Sequence, residues 1–238
     1  MSDLPRVQMP AAFDAAAAAY DGLVGANPGY HAHLRLSAQR MGLAGNGRGL
    51  RLLDAGCGTG ASTAALLSSA SEADIVAVDA SAGMLAQAAT KRWPASVCFV
   101  HSPVEGLASA GVEGPFDGIL AAYLVRNLAD PDAQLREFRA LLRPGAVLAV
   151  HEYSVRDSRI ATAAWNAVCG AVIIPGGRLR SGDASLYRYL RRSVNSFDGA
   201  VAFRERLRRN GFVDVHSQTM PGWQRNIVHT FTARAPGE

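Results

Sequence analysis

The apolar run Leu50-Arg51-Leu52-Leu53-Asp54-Ala55, followed at once by Gly56-Cys57-Gly58-Thr59-Gly60, constrains the fold of this chain more than any other segment. A buried strand that ends in a glycine-rich turn and then enters a helix, here about residues 61–70, lets backbone approach a ligand closely at the carboxyl edge of a parallel sheet. The segments downstream continue the theme. Ile75–Asp79, Val97–Val100, Phe116–Ala121 and Ala146–His151 read as strands. Between them lie helical segments over Ser81–Arg92, with Ser81 as N-cap, and Asp132–Leu142, stopped by Pro144-Gly145. Strands alternating with helices predict an α/β fold with a mainly parallel, doubly wound sheet, whose right-handed crossovers send helices to both faces.

The flanks differ. Met9–Tyr20 is alanine-rich and Tyr30–Met41 carries Leu34, Ala38 and Met41 at helical spacing, so two helices are predicted, separated by Gly22, Gly25, Asn27, Pro28 and Gly29. From 154 to 196 the alternation fails, and the stretch reads as a helical insertion over the sheet. Asp198–Asn210 predicts a helix closed by Gly211, and Phe212–Thr219 with Asn226–Ala233 a terminal hairpin. The expected organisation of 1–238 is one domain: a helical cap over 1–45, a ligand-binding core over 50–152, the insertion over 154–196, and the C-terminal helix and hairpin over 198–238.

The apolar share of 49% excludes disordered and fibrous classes. No run is read as approaching the roughly 20 apolar residues of a membrane-crossing helix. Ala15–Ala19 is short and preceded by Asp14, so no signal peptide is expected, and Cys57, Cys98 and Cys169 fit no disulfide or metal spacing. A reducing cytoplasm is the expected location. Of 24 basic residues all but Lys91 are arginine, and residues 156–225 carry a net +7 against −3 for the rest. That surplus admits a peripheral membrane contact, a cleft for an anionic acceptor, a homodimer surface, or solvated helix faces. Nucleic acid is not expected, because no recognition motif accompanies the arginines.

The glycine loop leaves its ligand open at first. Gly56-x-Gly58-x-x-Ala61 satisfies the relaxed dinucleotide pattern, with Asp79 at the right distance to bond ribose hydroxyls. Against a nicotinamide cofactor, Asp54 stands just before the glycines, where a carboxylate faces the ammonium of a bound amino acid and repels a pyrophosphate. The compact Gly-x-Gly-x-Gly spacing points the same way, to S-adenosylmethionine. The competing readings are a strand-end helix cap for Asp54 and a turn acid for Asp79.

Leu52 to Gly60, Val78-Asp79-Ala80-Ser81 with Met84-Leu85, Phe116-Asp117-Gly118 and Leu141-Leu142-Arg143-Pro144-Gly145 together resemble the successive motifs of class I S-adenosylmethionine-dependent methyltransferases. The resemblance implies a Rossmann-like, seven-stranded sheet with an antiparallel last strand. A narrower resemblance, to the ubiquinone/menaquinone C-methyltransferases of the UbiE type, rests on Phe13-Asp14, Tyr20-Asp21, Leu124-Val125-Arg126-Asn127-Leu128, Glu152-Tyr153-Ser154 and Tyr187-Arg188-Tyr189-Leu190. The chain departs from that family at Ser102-Pro103-Val104-Glu105, where an acid is usual, which leaves backbone near Val104 to meet an adenine. It departs again at Arg191-Arg192 and at Gly222 to His229.

The resemblance implies cofactor contacts at Asp54, Gly56, Gly58, Gly60, Asp79, Ala80, Met84, Val104 and Ala121. Methyl transfer needs the acceptor in line with the donor and activated, so a charge-stabiliser or base should stand beside it. Arg126 is the leading candidate: guanidinium is too weakly acidic to serve as a free base, and it stabilises phenolate or enolate charge. His151 and Glu152 end the fifth strand at the same edge as alternative proton acceptors. Tyr123, Asn127, Tyr153, Tyr187 and Tyr189 are expected to line an aromatic acceptor pocket, with Trp165 and Val172-Ile173-Ile174 as an apolar wall for a lipid tail. No metal site is expected, because the histidines show no ligand spacing. The expected activity is methylation of a small or prenylated quinol-like aromatic at carbon. O-methylation of a phenol, a non-catalytic binding scaffold and an oxidoreductase are the rivals.

Overall fold

The computed structural model describes residues 9–25, 27–181 and 184–237, so the first eight residues of the expected cap lie outside it. In chain order the elements are α1 (Met9–Gly25), α2 (Tyr30–Arg40), β1 (Arg51–Ala55), α3 (Ala61–Ser69), β2 (Asp74–Asp79), α4 (Ala82–Ala89), β3 (Val97–His101) and β4 (Phe116–Ala122). They continue as α5 (Pro131–Leu141), β5 (Leu142–Tyr153), α6 (Arg159–Val168), α7 (Ile174–Ser181), α8 (Ser185–Ser196), α9 (Ala200–Arg209), β6 (Val213–Thr219) and β7 (Val228–Arg234).

The strands form one seven-stranded sheet in the order β3-β2-β1-β4-β5-β7-β6. The first five run parallel, and β7 lies antiparallel to both β5 and β6. Side chains alternate across the sheet because the strand repeat is two residues. Leu53, Ile119, Leu148 and Val150 pack under Leu135 and Phe138 of α5 and Phe203 and Leu207 of α9. Leu52, Leu120, Val147 and Ala149 pack on Leu34, Ala38, Ala65 and Leu66 of α2 and α3. A third cluster, with Trp165, Cys169, Val194, Met220 and Val228, seats α6 and α8 at the end of β5.

Three boundaries differ from expectation. The first helix runs through Gly22 to Gly25, where neither glycine is crowded; a helical glycine costs only about 1 kcal/mol and does not have to end the helix. Pro144-Gly145 lies inside β5, which begins at Leu142: the break is absorbed by a register shift between Phe116 and Gly118, with Gly145 at φ 75°. The segment Arg159–Leu179 is long and apolar enough, by length and composition, to cross a membrane, although Thr162, Asn166 and three glycines keep it from being an unbroken apolar run.

Local chemistry explains the element that opens under the cofactor loop. Ser81 caps α4, its hydroxyl accepting from the Met84 N–H at 3.1 Å and donating to Asp14 of α1. Ser81→Ala is expected to cost about 1 kcal/mol or more, measured by denaturant unfolding, since it removes the cap and a helix tether together.

Candidate active site

The strand order reverses between β1 and β4, and loops leaving their carboxyl ends diverge there into a cavity of about 800 Å³. One half is the glycine loop. Gly56, Gly58 and Gly60 have φ of 73°, 55° and 90°, a region that side-chain-bearing residues rarely adopt. The loop is clamped from β2, because the Gly56 and Cys57 N–H groups donate to the Val78 carbonyl and the Gly58 N–H donates to Asp79 Oδ2 at 2.7 Å. Asp79 Oδ1 accepts from the Ser81 N–H at 2.8 Å. Gly56, Gly58, Asp79, Ala80, Met84 and Val104 all line the cavity.

Helix α1 closes that half from above. Asp14 accepts from Ser81 and from the Gly83 N–H, and Asp21 accepts from Thr59 while pairing with Lys91 at 2.6 Å. This brings Phe13 and Tyr20 into the cavity wall.

The other half is aromatic and built on the end of β4. Tyr123 has φ 55°, unusual for a bulky residue, and is held there by its N–H donating to the His151 carbonyl at 2.7 Å. The turn aims its own carbonyl at two donors, Arg126 Nη1 at 2.9 Å and Asn127 Nδ2 at 3.0 Å. Arg126 Nη1 also pairs with Glu152 Oε1 at 2.6 Å, both side chains buried, and the Arg126 Nε has no partner. Burial works against the guanidinium charge, but the Glu152 carboxylate outweighs it and holds Arg126 above its ordinary pKa. Tyr123 and Tyr153 flank the guanidinium with ring centroids at 5.7 and 5.5 Å, Tyr30 stacks on Tyr123, and Tyr189 donates to Asn127 Oδ1 at 3.1 Å.

A family model described as the ubiE/COQ5 methyltransferase family matches residues 4–229. The chain belongs to that family. It is 31% identical over 205 residues to a demethylmenaquinone methyltransferase of Parafrankia sp. (strain EAN1pec), covering 79% of each chain. It is also 31% identical to a ubiquinone/menaquinone biosynthesis C-methyltransferase UbiE of Syntrophotalea carbinolica, over 79% of this chain and 78% of that one. Among solved structures, the [4+2]-cyclase SpnF superposes with a TM-score of 0.70 at 19% identity over the whole of both chains. A SAM-dependent methyltransferase from Thermotoga maritima gives 0.68 at 16% identity, covering 95% and 99%. These likenesses establish the fold, and a cyclase among them shows that the fold alone does not set the reaction. Family membership makes this chain an S-adenosylmethionine-dependent methyltransferase.

For this ubiE/COQ5 family member, several expected site residues stand elsewhere. Asp54 is wholly buried one layer behind the cavity wall, where Ser62 and Thr63 hydroxyls donate to its Oδ2 at 2.8 and 2.7 Å. Burial pushes its carboxyl up to about 7. Gly60 serves packing, since a Cβ there would come 2.5 Å from the Trp93 ring. Ala121 points into the core and its neighbour Ala122 lines the cavity instead. Trp165 is fully buried outside the cavity, tilted against Tyr153 with ring centroids 4.7 Å apart, and of the apolar wall Val172 and Ile173 line the cavity while Ile174 does not.

The proton-acceptor candidates are displaced too. His151 and Glu152 have no exposed surface and neither lines the cavity. Alternation along β5 sends their side chains to opposite faces: His151 meets the Tyr123 hydroxyl at 2.9 Å and Ser37 at 2.7 Å, while Glu152 meets Arg126. Arg126, Tyr123, Asn127, Tyr153, Tyr187 and Tyr189 do line the cavity. So do Tyr20, Tyr30 and Trp223, which were not expected there. Tyr20 carried a signal in the Tyr20-Asp21 pair, whereas Tyr30 and Trp223 carried none.

Burial lowers the His151 imidazole from 6.5 to about 3, and lowers His229 to about 4. The native state therefore binds fewer protons than the unfolded chain between these values. Stability is full above pH 6.5 and is lost as pH falls toward 3. Thermal melting against pH is expected to show this slope, and His151→Gln, which cannot take the proton, is expected to flatten part of it, His229 retaining the rest.

Proposed function

We propose that the chain transfers a methyl group to a ring carbon of a quinol-like aromatic, small or prenylated. The observation that carries this reading is Arg126: a buried cation fixed by Glu152 and set among tyrosines in the wall of an apolar cavity that continues from the glycine loop. The names of the relatives, demethylmenaquinone methyltransferase and ubiquinone/menaquinone C-methyltransferase, support the same acceptor class and atom.

The loop fits S-adenosylmethionine. A side chain at Gly58 would begin in open cavity, with no protein atom within 4 Å, so the space beside the backbone is kept for a ligand. Asp79 uses one lone pair of each oxygen on backbone N–H groups and keeps others for ribose hydroxyls. Met84 and Val104 supply apolar faces for an adenine. The donor brings a methyl already activated by its sulfonium.

What remains for the protein is orientation and charge. Burial pushes the Tyr30, Tyr123 and Tyr153 hydroxyls above the ordinary phenol range, so they stay neutral and shape the pocket without acting as bases. Arg126, kept charged by Glu152, favours the deprotonated acceptor, whose negative charge is shared between its oxygen and the adjacent ring carbon; that carbon bonds the methyl, and the hydroxyl and ring protons pass to water in the cavity. Asn127, held between the Tyr123 carbonyl and Tyr189, orients a second ring substituent.

Turnover with a panel of quinols, the methyl located by mass spectrometry and NMR, tests the assignment. Transfer to a ring carbon is expected; transfer to oxygen makes it an O-methyltransferase, and binding of the cofactor without turnover on any aromatic makes it a scaffold. Arg126→Ala alone would strand the Glu152 charge in the core, so the paired variant Arg126→Gln/Glu152→Gln is the cleaner test. It is expected to keep cofactor affinity by calorimetry and to lose roughly 10²–10³-fold in kcat. An unchanged rate would remove Arg126 from the chemistry.

A further inference from the structure

Helices α6 and α7 are joined by a single π-helical turn, Cys169–Ile173, into one rod. Its inner side is accounted for: Ala161, Trp165 and Cys169 are seated in the cluster beside β5. The outer side is not. A helix lying on the surface of a water-soluble protein normally presents charge outward, yet residues 160–177 contain no charged residue. Ile160, Ala164, Ala167 and Ala171 recur there at helical spacing, all exposed, Ile160 at 84%. Of the six most exposed large apolar side chains among the described residues, three (Ile160, Val172 and Leu179) belong to this rod.

Two further observations say what covers that face. Val172 and Leu179, exposed at 63% and 88%, also line the cavity, so the apolar surface continues into it, and half-exposed Trp223 lines it too. The surround is strongly basic. Residues 159–197 contain six arginines and one aspartate, and α8 turns Leu186 and Leu190 to the cavity while Arg188 and Arg191 line a separate shallow hollow with Asn166 and Ile174 of the rod. An apolar strip edged by arginines matches an anionic bilayer surface, which takes the apolar side chains into its acyl boundary and the guanidinium groups among its phosphates. A second copy packed on this face would set arginines against arginines.

We propose that the outer face of the α6–α7 rod, with Arg188 and Arg191 beside it, docks on an anionic lipid surface and presents the cavity to it. This deepens the reading above by giving an apolar-tailed acceptor its route of entry, and rests on it only for that purpose. Docking itself is measured without turnover, so the two can fail separately.

The test is co-sedimentation with phosphatidylcholine vesicles, with and without phosphatidylglycerol, at low and high salt, alongside the oligomeric state by sedimentation. Binding is expected only when phosphatidylglycerol is present, and is expected to weaken with salt. Ile160→Asp and Ala167→Asp, outside the cavity, are each expected to reduce partitioning about 5-fold or more, and the pair Arg188→Gln/Arg191→Gln about 30-fold, the scale of about 1 kcal/mol per charge near such a surface. Unchanged cofactor affinity by calorimetry shows that each variant is folded. The proposal is overturned if the wild-type chain binds neither vesicle, if folded variants bind as well as wild type, or if Ile160→Asp instead dissociates a dimer.

Discussion

A reversal of strand order is the constraint on which this molecule depends. From β1 the chain winds outward through β2 to β3, then returns to place β4 on the other side of β1 and winds the opposite way. Right-handed crossovers put the connecting helices of the two halves on opposite faces, so the loops leaving β1 and β4 part company and leave a crevice. Everything with chemistry in it hangs on those two strand ends: the glycine loop after Ala55 and the Tyr123–Asn127 turn after Ala122.

The two ends are stiffened differently. At β1 the backbone itself is the ligand surface, held by the Val78 carbonyl and the Asp79 carboxylate. At β4 the working groups are side chains, and the Arg126–Glu152 pair supplies the stiffness. A buried ion pair recovers little net stability after both charges are desolvated, whereas breaking one leaves a stranded charge costing about 3–5 kcal/mol. Its value here lies in position. Arg126 has Nη1 committed to the Tyr123 carbonyl and to Glu152, which fixes the guanidinium in the cavity wall.

Much of the site was legible because it is local in the chain. Gly56, Gly58, Asp79 and Met84 sit within short segments whose residue types are dictated by backbone conformation and by the end of a strand, and such signals survive in sequence. Arg126 and Asn127 were legible through the family resemblance and through their place just past a strand. The residues misplaced on the strands were decided by what packs on each face. For Ala121 it is the two-residue repeat, which turns Ala122 to the cavity in its stead; Asp54, His151 and Glu152 are each wholly buried against partners, and those of His151 and Glu152, Tyr123 and Arg126, line the cavity themselves.

Composition and local pattern alone determined the doubly wound sheet, the glycine loop and the basic bias of residues 156–225, and the resemblance of the motifs to a known family added the methyltransferase class. Tertiary structure decided which tyrosines meet: Tyr20, Tyr30, Tyr123, Tyr153 and Tyr189 come from α1, α2, the turn after β4, the end of β5 and α8. It also decided that the arginine-rich segment has an uncharged helix with an apolar outer face beside the cavity. The reason is geometric: which face of a helix or strand is covered depends on what packs against it from a distance in sequence, and no local residue pattern carries that information.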